Sequence, residues 1–241
     1  NHASRVWSPP PNLTVSQWAD EFLYLSPEDS AEPGKFKVER APYQRGMLDA
    51  VSDPNIKDVV YCTSSQIGKT QLIKCIIGYH IHQDPGPLLL LQPTVSLAES
   101  FSKDRLAPMV RDTPALKGRI ADPKSRNSGN SVAHKQFPGG HITMVGSNAP
   151  TDLAGRPIRI VFADEIDRYP ASAGTEGDPL YLARQRTATF WNRKIIMAST
   201  PTIEGMSRIW TEFEKSDQRY FHIPCPECDE KHVLKWPNII Y

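Results

Sequence analysis

Asp58-Val59-Val60-Tyr61-Cys62-Thr63-Ser64-Ser65-Gln66-Ile67-Gly68-Lys69-Thr70 is the stretch from which the fold is read. Asp58 to Cys62 is apolar and β-branched, the composition of a short buried strand. The residues from Gln71 to His82 have helical character. A strand, a short loop ending in Gly-Lys-Thr, and a helix form the phosphate-binding loop of a P-loop nucleotidase. Gly68 lets the backbone approach a phosphate closely. The N–H groups of Ser64, Ser65, Gln66 and Ile67, with the helix N-terminus, are placed for an anion. Lys69 would reach the β- and γ-phosphates, and the Thr70 hydroxyl would ligate Mg²⁺. The pattern has one departure: Thr63 stands where G-x-x-x-x-G-K-[ST] has its first glycine. Gly-Lys-Thr alone also occurs in ordinary loops.

A second stretch supplies the carboxylates. Ile158-Arg159-Ile160-Val161-Phe162-Ala163 reads as another buried strand, and Asp164-Glu165-Ile166-Asp167 follows it. A carboxylate at the C-terminal end of a parallel strand lies at the crevice where α/β sheets bind ligands. Asp164 would hold Mg²⁺, and Glu165 would orient and deprotonate the attacking water. The plain alternative is a strand ending in a solvated acidic turn. Both stretches in this order favour an ATPase: an α/β fold of the P-loop NTPase (RecA/ASCE-like) class, with a mainly parallel central sheet flanked by helices.

Composition bounds the possibilities. The chain has 241 residues, 22 prolines and a formal net charge of +1, so no global basic field argues for nucleic acid. Any DNA contact must be local. No apolar run is long enough to cross a membrane, and no secretory signal is visible. Cys62 and Cys75 fall on the predicted strand and helix and read as small core residues.

Around the core, a short amphipathic helix is expected near Ser16 to Leu25, capped by Ser16, with Trp18, Phe22 and Leu25 on one face. A second helix is expected over 42–51. Leu88 to Gln92 reads as a strand buried on both faces. A helix should open at Pro93-Thr94 and run to about Val110, with a capping box in Ser96 and Glu99. Pro138-Gly139-Gly140 signals a hairpin between 132–137 and 141–145. Asp178-Pro179 starts another helix, Lys194 to Ala198 is a strand, a helix lies within 203–215, and Arg219 to Ile223 is read as a last strand. The expected division is 1–41 as N-terminal decoration, 42–223 as ATPase core, and 224–241 as the start of a linker or a truncated zinc-like segment.

Several further groups carry two readings each. Ser199-Thr200-Pro201 ends a strand beside the nucleotide strand. Its hydroxyls would sense the γ-phosphate and couple it to motion, or merely cap the strand. Tyr43 would stack on adenine while the Gln44 amide reads its edge; alternatively, both belong to a packed helix start. Gln92-Pro93-Thr94 is either a DNA-contacting segment or a helix cap. An arginine finger has several candidates, among them Arg105, Arg111, Arg156, Arg159, Arg168, Arg184 and Arg186. Cys225-Pro226-Glu227-Cys228 offers two thiolates, half of a tetrahedral Zn²⁺ site. The rest would come from His222 or His232, or from beyond residue 241.

Taken together, Trp18-Ala19-Asp20, Tyr24-Leu25, Pro42-Tyr43-Gln44-Arg45, the phosphate loop, Asp164-Glu165, Ser199-Thr200-Pro201 and Pro224-Cys225-Pro226-Glu227-Cys228 resemble the lambda-like terminase large subunits of tailed phages. The resemblance implies an ATP- and Mg²⁺-dependent packaging ATPase in the cytoplasm of an infected bacterium. It implies Lys69 and Thr70 at phosphate and metal, Asp164 at Mg²⁺, Glu165 as catalytic carboxylate, Ser199-Thr200-Pro201 as coupling motif, and Tyr43 and Gln44 near adenine. Implied partners are double-stranded DNA, the procapsid portal, a small terminase subunit, and further copies of the chain in a ring, with no membrane. Many such proteins carry an arginine within the phosphate loop; here that position is Ser65. The finger is therefore expected from elsewhere, a neighbouring subunit or, within the chain, Arg156 first. The nuclease of such proteins is not expected within these 241 residues. Two rivals remain at this stage: a helicase-like DNA-dependent ATPase, and a nucleotide-binding scaffold without turnover.

Overall fold

A computed structural model describes residues 12–120, 130–149 and 155–234. Its centre is a six-stranded sheet of order β3-β8-β7-β4-β6-β5. The strands are β3 (Asp58–Cys62), β4 (Pro87–Gln92), β5 (His134–Phe137), β6 (Gly140–Gly146), β7 (Ile160–Asp164) and β8 (Lys194–Ser199). Every neighbouring pair is parallel except the β5–β6 hairpin at one edge. The leucine run explains the layering. Side chains alternate along a strand, so Leu88 and Leu90 join the core on one face while Leu89 and Leu91 join the core on the other.

The first face is covered by α1 (Val15–Phe22), α2 (Tyr43–Ser52) and α3 (Lys69–His82). It is also covered by α4 (Val95–Phe101), which passes through one π-helical stretch, Ser102–Leu106, into α5 (Ala107–Asp112). Pro108 lies just after that stretch and has no N–H to continue the α pattern. The second face carries α6 (Pro179–Gln185) and α7 (Arg208–Glu214). All residues of α3 from Leu72 to Ile81 are buried, as expected of a helix apolar nearly all round. Trp18 of α1 lies across Gly78 of α3; a Cβ there would sit 2.4 Å from the indole. The indole N–H donates to Nδ1 of His82 at 3.0 Å.

Several expectations shift. Thr14, not Ser16, caps α1, sharing a capping box with Gln17, and the helix stops at Phe22. Leu25 therefore lies on β1 (Tyr24–Leu25), paired with β2 (Gly34–Lys35). Thr94 caps α4 by accepting from the Leu97 N–H, so the Ser96–Glu99 box is not the cap. The last strand of the sequence reading is only β9 (Ile223–Pro224). It pairs with β10 (Lys231–His232) in a hairpin outside the central sheet. The loop expected over 112–130 lies partly outside the described residues.

Candidate active site

Parallel packing places the ends of β3, β8 and β7 side by side, with β8 between the other two. Gly68 adopts φ +84° as the N-cap of α3, a conformation that glycine takes at little cost. It also lacks room for a side chain, because a Cβ would lie 2.6 Å from Nε2 of Gln44. The first turn of α2 grips this loop. The Gln44 amide donates to the Ile67 carbonyl at 2.9 Å, and the Tyr43 hydroxyl donates to it at 3.1 Å. Gln44 is thus buried, with its amide nitrogen engaged at the loop. Tyr43 lines a cavity of about 1180 Å³ with Thr63, Ser64, Ile67 and Phe221. Gln66 also takes a positive φ, +62°. Thr70 is exposed in the first turn of α3, where helical N–H groups have no partner within the helix.

Three segments converge on Lys69. Its Nζ donates to Thr200 Oγ1 at 2.7 Å and to the Ser64 carbonyl at 3.5 Å. It lies 3.4 Å from Glu165 Oε1. Glu165 itself has φ +54°, an uncommon conformation for a non-glycine residue and one that clusters at functional sites. Its other carboxylate oxygen is 3.7 Å from Nε of Arg168. Beside it, Asp164 accepts from the Gln92 amide at 3.1 Å through Oδ2. The Asp164 Oδ1 is sealed from solvent without a hydrogen-bond partner. Burial raises the Asp164 pKa to about 6, with the Glu165 charge adding to it while Gln92 and Lys69 oppose it. An orphaned, buried carboxylate oxygen suits a cation or a water bound to one. Asp164 therefore fits a cation-binding role.

The chain also resembles known proteins. The family model "Phage terminase large subunit gpA, ATPase domain" matches residues 30–241. The terminase large subunit of Enterobacteria phage P21 is 30% identical over 229 residues, 94% of this chain and 35% of that protein. That of Escherichia phage lambda is 27% identical over 233 residues, 96% of this chain and 36% of that protein. The chain belongs to the terminase large-subunit ATPase-domain family. It spans about a third of the length of these relatives. Among solved structures, the large terminase ATPase domain of Thermus phage P74-26 shares the fold, with a TM-score of 0.51 at 15% identity over 87% of this chain and 83% of that one.

In this terminase ATPase domain the arginines are distributed unevenly. Arg168 reaches the carboxylate of Glu165. Arg156 instead lines a separate cavity of about 280 Å³ with Leu89, His134 and Thr143, which includes no phosphate-loop residue. Burial first, then the Arg156 charge, lowers the pKa of His134. Arg159 binds Asp84, Arg184 binds Asp58 at 2.6 Å and Glu212 at 3.3 Å, and Arg111 binds Glu28 at 2.8 Å. These three are engaged in structural pairs.

Cys225 and Cys228 sit in the turn between β9 and β10. The N–H groups of Glu227 and Cys228 are directed at the Cys225 sulfur and lower its pKa. The Cys₂His arrangement is not formed: His222 bonds the Tyr220 carbonyl at 3.0 Å and His232 the Glu230 carbonyl at 3.4 Å. Among the described residues, no group of three or more His, Cys, Asp or Glu is placed to hold a metal. No helix among them is long and apolar enough to cross a membrane.

Two residues of the site received no catalytic role from sequence. Gln92, the last residue of β4, positions Asp164. Asp167 accepts hydrogen bonds from Thr202 and Ile209. Their signal was weak: a polar residue ending an apolar strand, and a second aspartate after Asp-Glu.

Proposed function

We propose that this chain binds Mg²⁺·ATP and hydrolyses the γ-phosphate to drive double-stranded DNA into a procapsid. The observation that carries the reading is the meeting of Lys69, Glu165 and Thr200 at the head of α3. Lys69 exchanges its contacts with Thr200 and Glu165 for phosphate oxygens. Glu165, freed from the ammonium, orients and deprotonates the attacking water. The N–H groups of the loop and Lys69 stabilise the charge that develops on the equatorial oxygens. Asp164 and Thr70 would hold the magnesium ion, which when bound neutralises phosphate charge. Tyr43, beside the large cavity, stacks on the adenine. Ser199-Thr200-Pro201 passes the γ-phosphate state to the segment that follows.

Ser65 leaves the phosphate loop without an arginine; within the chain the candidate finger is Arg168, 3.7 Å from Glu165, and the other source is a neighbouring copy. By resemblance to its family, the chain would work as a ring of copies, in which a neighbour could complete the site. The family further suggests the portal and a small terminase subunit as partners, and the bacterial cytoplasm as the setting. ATP hydrolysis measured against protein concentration tests the reading, with Lys69→Ala and Glu165→Gln as controls. Turnover that rises more than linearly and is lost in both variants supports it. Turnover unchanged in Glu165→Gln would remove Glu165 from the catalytic role, and nucleotide bound by the wild type without turnover at any concentration would mean a scaffold that does not hydrolyse it.

A further inference from the structure

We propose that Asp167 is a positioning residue that ties Glu165 to the segment 199–209, so that occupation of the γ-phosphate position is transmitted to α7. The inference rests on the function proposed above and deepens it. Asp167 is joined to that segment at four points. Its Oδ1 accepts from the Ile209 N–H at 2.8 Å. Its Oδ2 accepts from the Thr202 N–H at 3.1 Å and from the Thr202 hydroxyl at 2.9 Å. Its own N–H donates to Ser199 Oγ at 3.3 Å, and Ser199 is fully buried. Burial raises the Asp167 pKa, but the hydrogen bonds from Ile209, Ser207 and Thr202 together lower it more, so the acceptor stays ionised.

These contacts close a circuit. Lys69 binds Thr200 and Glu165; Thr202 binds Asp167; Asp167 lies two residues from Glu165, with the buried Ile166 between them as an anchor. Pro201 joins Thr200 to Thr202, and its fixed φ limits how far a displacement can be absorbed between them. The positive φ of Glu165 persists only if the backbone on both sides is held. The β7 strand and Gln92 hold the Asp164 side, and Asp167 holds the other. A lysine ammonium has three donors. A triphosphate therefore competes with Thr200 and Glu165 for Lys69, and the Asp167 contacts become the remaining link between carboxylate and segment. The stretch between Thr202 and Ile209 includes Ile203 and Met206, 62% and 76% exposed, and is the part least constrained by packing.

The test is hydrogen–deuterium exchange of residues 200–210 with and without Mg²⁺ and a slowly hydrolysed ATP analogue, alongside steady-state kinetics. The wild type should change its exchange on binding nucleotide. Asp167→Asn should keep nucleotide affinity and KM, lose the exchange response, and lower kcat about 10- to 100-fold, the scale of a small misplacement. Thr202→Val, which removes one hydroxyl from an exposed residue, should give a partial loss and guards against misfolding of the first variant. A wild-type response and kcat in both variants would overturn the proposal. So would a wild type that binds the analogue without any change over 200–210; in that case the ATPase reading survives. A wild type that binds no nucleotide would overturn both.

Discussion

Helix α3 carries two lysines that form two different ion pairs. Lys74 meets Asp29 at 2.8 Å with side chains 4% and 1% exposed. Lys69, five residues earlier, meets Glu165 at 3.4 Å with side chains 11% and 24% exposed, and shares its ammonium with Thr200 and Ser64. The first pair is sealed and pins the N-terminal segment to the core. The second is longer, partly solvated and divided among three acceptors. A cation meant to be handed to a phosphate must not already be held by one short, desolvated bond. Same residue type, same helix: the surroundings decide which lysine is structural and which is exchangeable.

The comparison is broken most severely at the exchangeable end. Glu165→Gln should reduce ATP turnover about 10²- to 10⁴-fold, the contribution of a general base, while nucleotide binding and the unfolding midpoint stay near wild type. Turnover assays with denaturant melts check both halves. At the sealed end, Asp29→Ala strands a buried ammonium and should cost about 3–5 kcal/mol in urea unfolding, with nucleotide contacts untouched. Replacing both partners by apolar residues, Asp29→Leu with Lys74→Met, should recover most of that loss. If the single and double variants prove equally unstable, the pair does more than fill a sealed space.

A third test concerns the carboxylate beside the exchangeable pair. Asp164 is raised from 3.8 to about 6 in the folded protein. Between those values the folded state binds more protons than the unfolded state, so stability is lost as pH rises through about 4 to 6. At neutral pH the magnesium-free protein should be less stable by about 3 kcal/mol than this group would allow if protonated. Asp164→Asn should flatten that part of the stability–pH curve, and saturating Mg²⁺ with nucleotide should offset the loss. The smallest effect belongs to the sealed half of α3. Gly78→Ala forces a methyl against the Trp18 ring, where a Cβ would lie 2.4 Å from the indole, and should destabilise by about 1–3 kcal/mol through overpacking. A thermal melt showing no loss would mean that α1 can lift off α3 freely.

Much of this was legible locally. The strand before Thr63 and the helix after Gly68 follow from composition and period over a few residues and formed where expected, while the strand read as Ile158 to Ala163 runs from Ile160 to Asp164. Helix caps were less legible: Ser16 and Ser96 are as capable as Thr14 and Thr94, and only the course of the preceding chain selects between neighbouring hydroxyls. Gln44 carried two readings for a related reason. Its amide suits a base edge or a carbonyl equally well, and burial against Ile67 chose the carbonyl.

By itself the sequence determined the pieces: a phosphate loop, a pair of carboxylates, a hydroxyl-rich strand end and a buried parallel strand run. Those depend on interactions between near neighbours along the chain. Only the tertiary structure decided how the pieces meet. Inserting β8 between β3 and β7 brings Thr200 to Lys69 across 131 residues, and pairing β4 with β7 brings Gln92 to Asp164 across 72. The same packing placed Arg156 in another cavity, away from the phosphate loop. Strand order is set by which apolar faces bury one another, a long-range choice that local period and motif spacing do not encode.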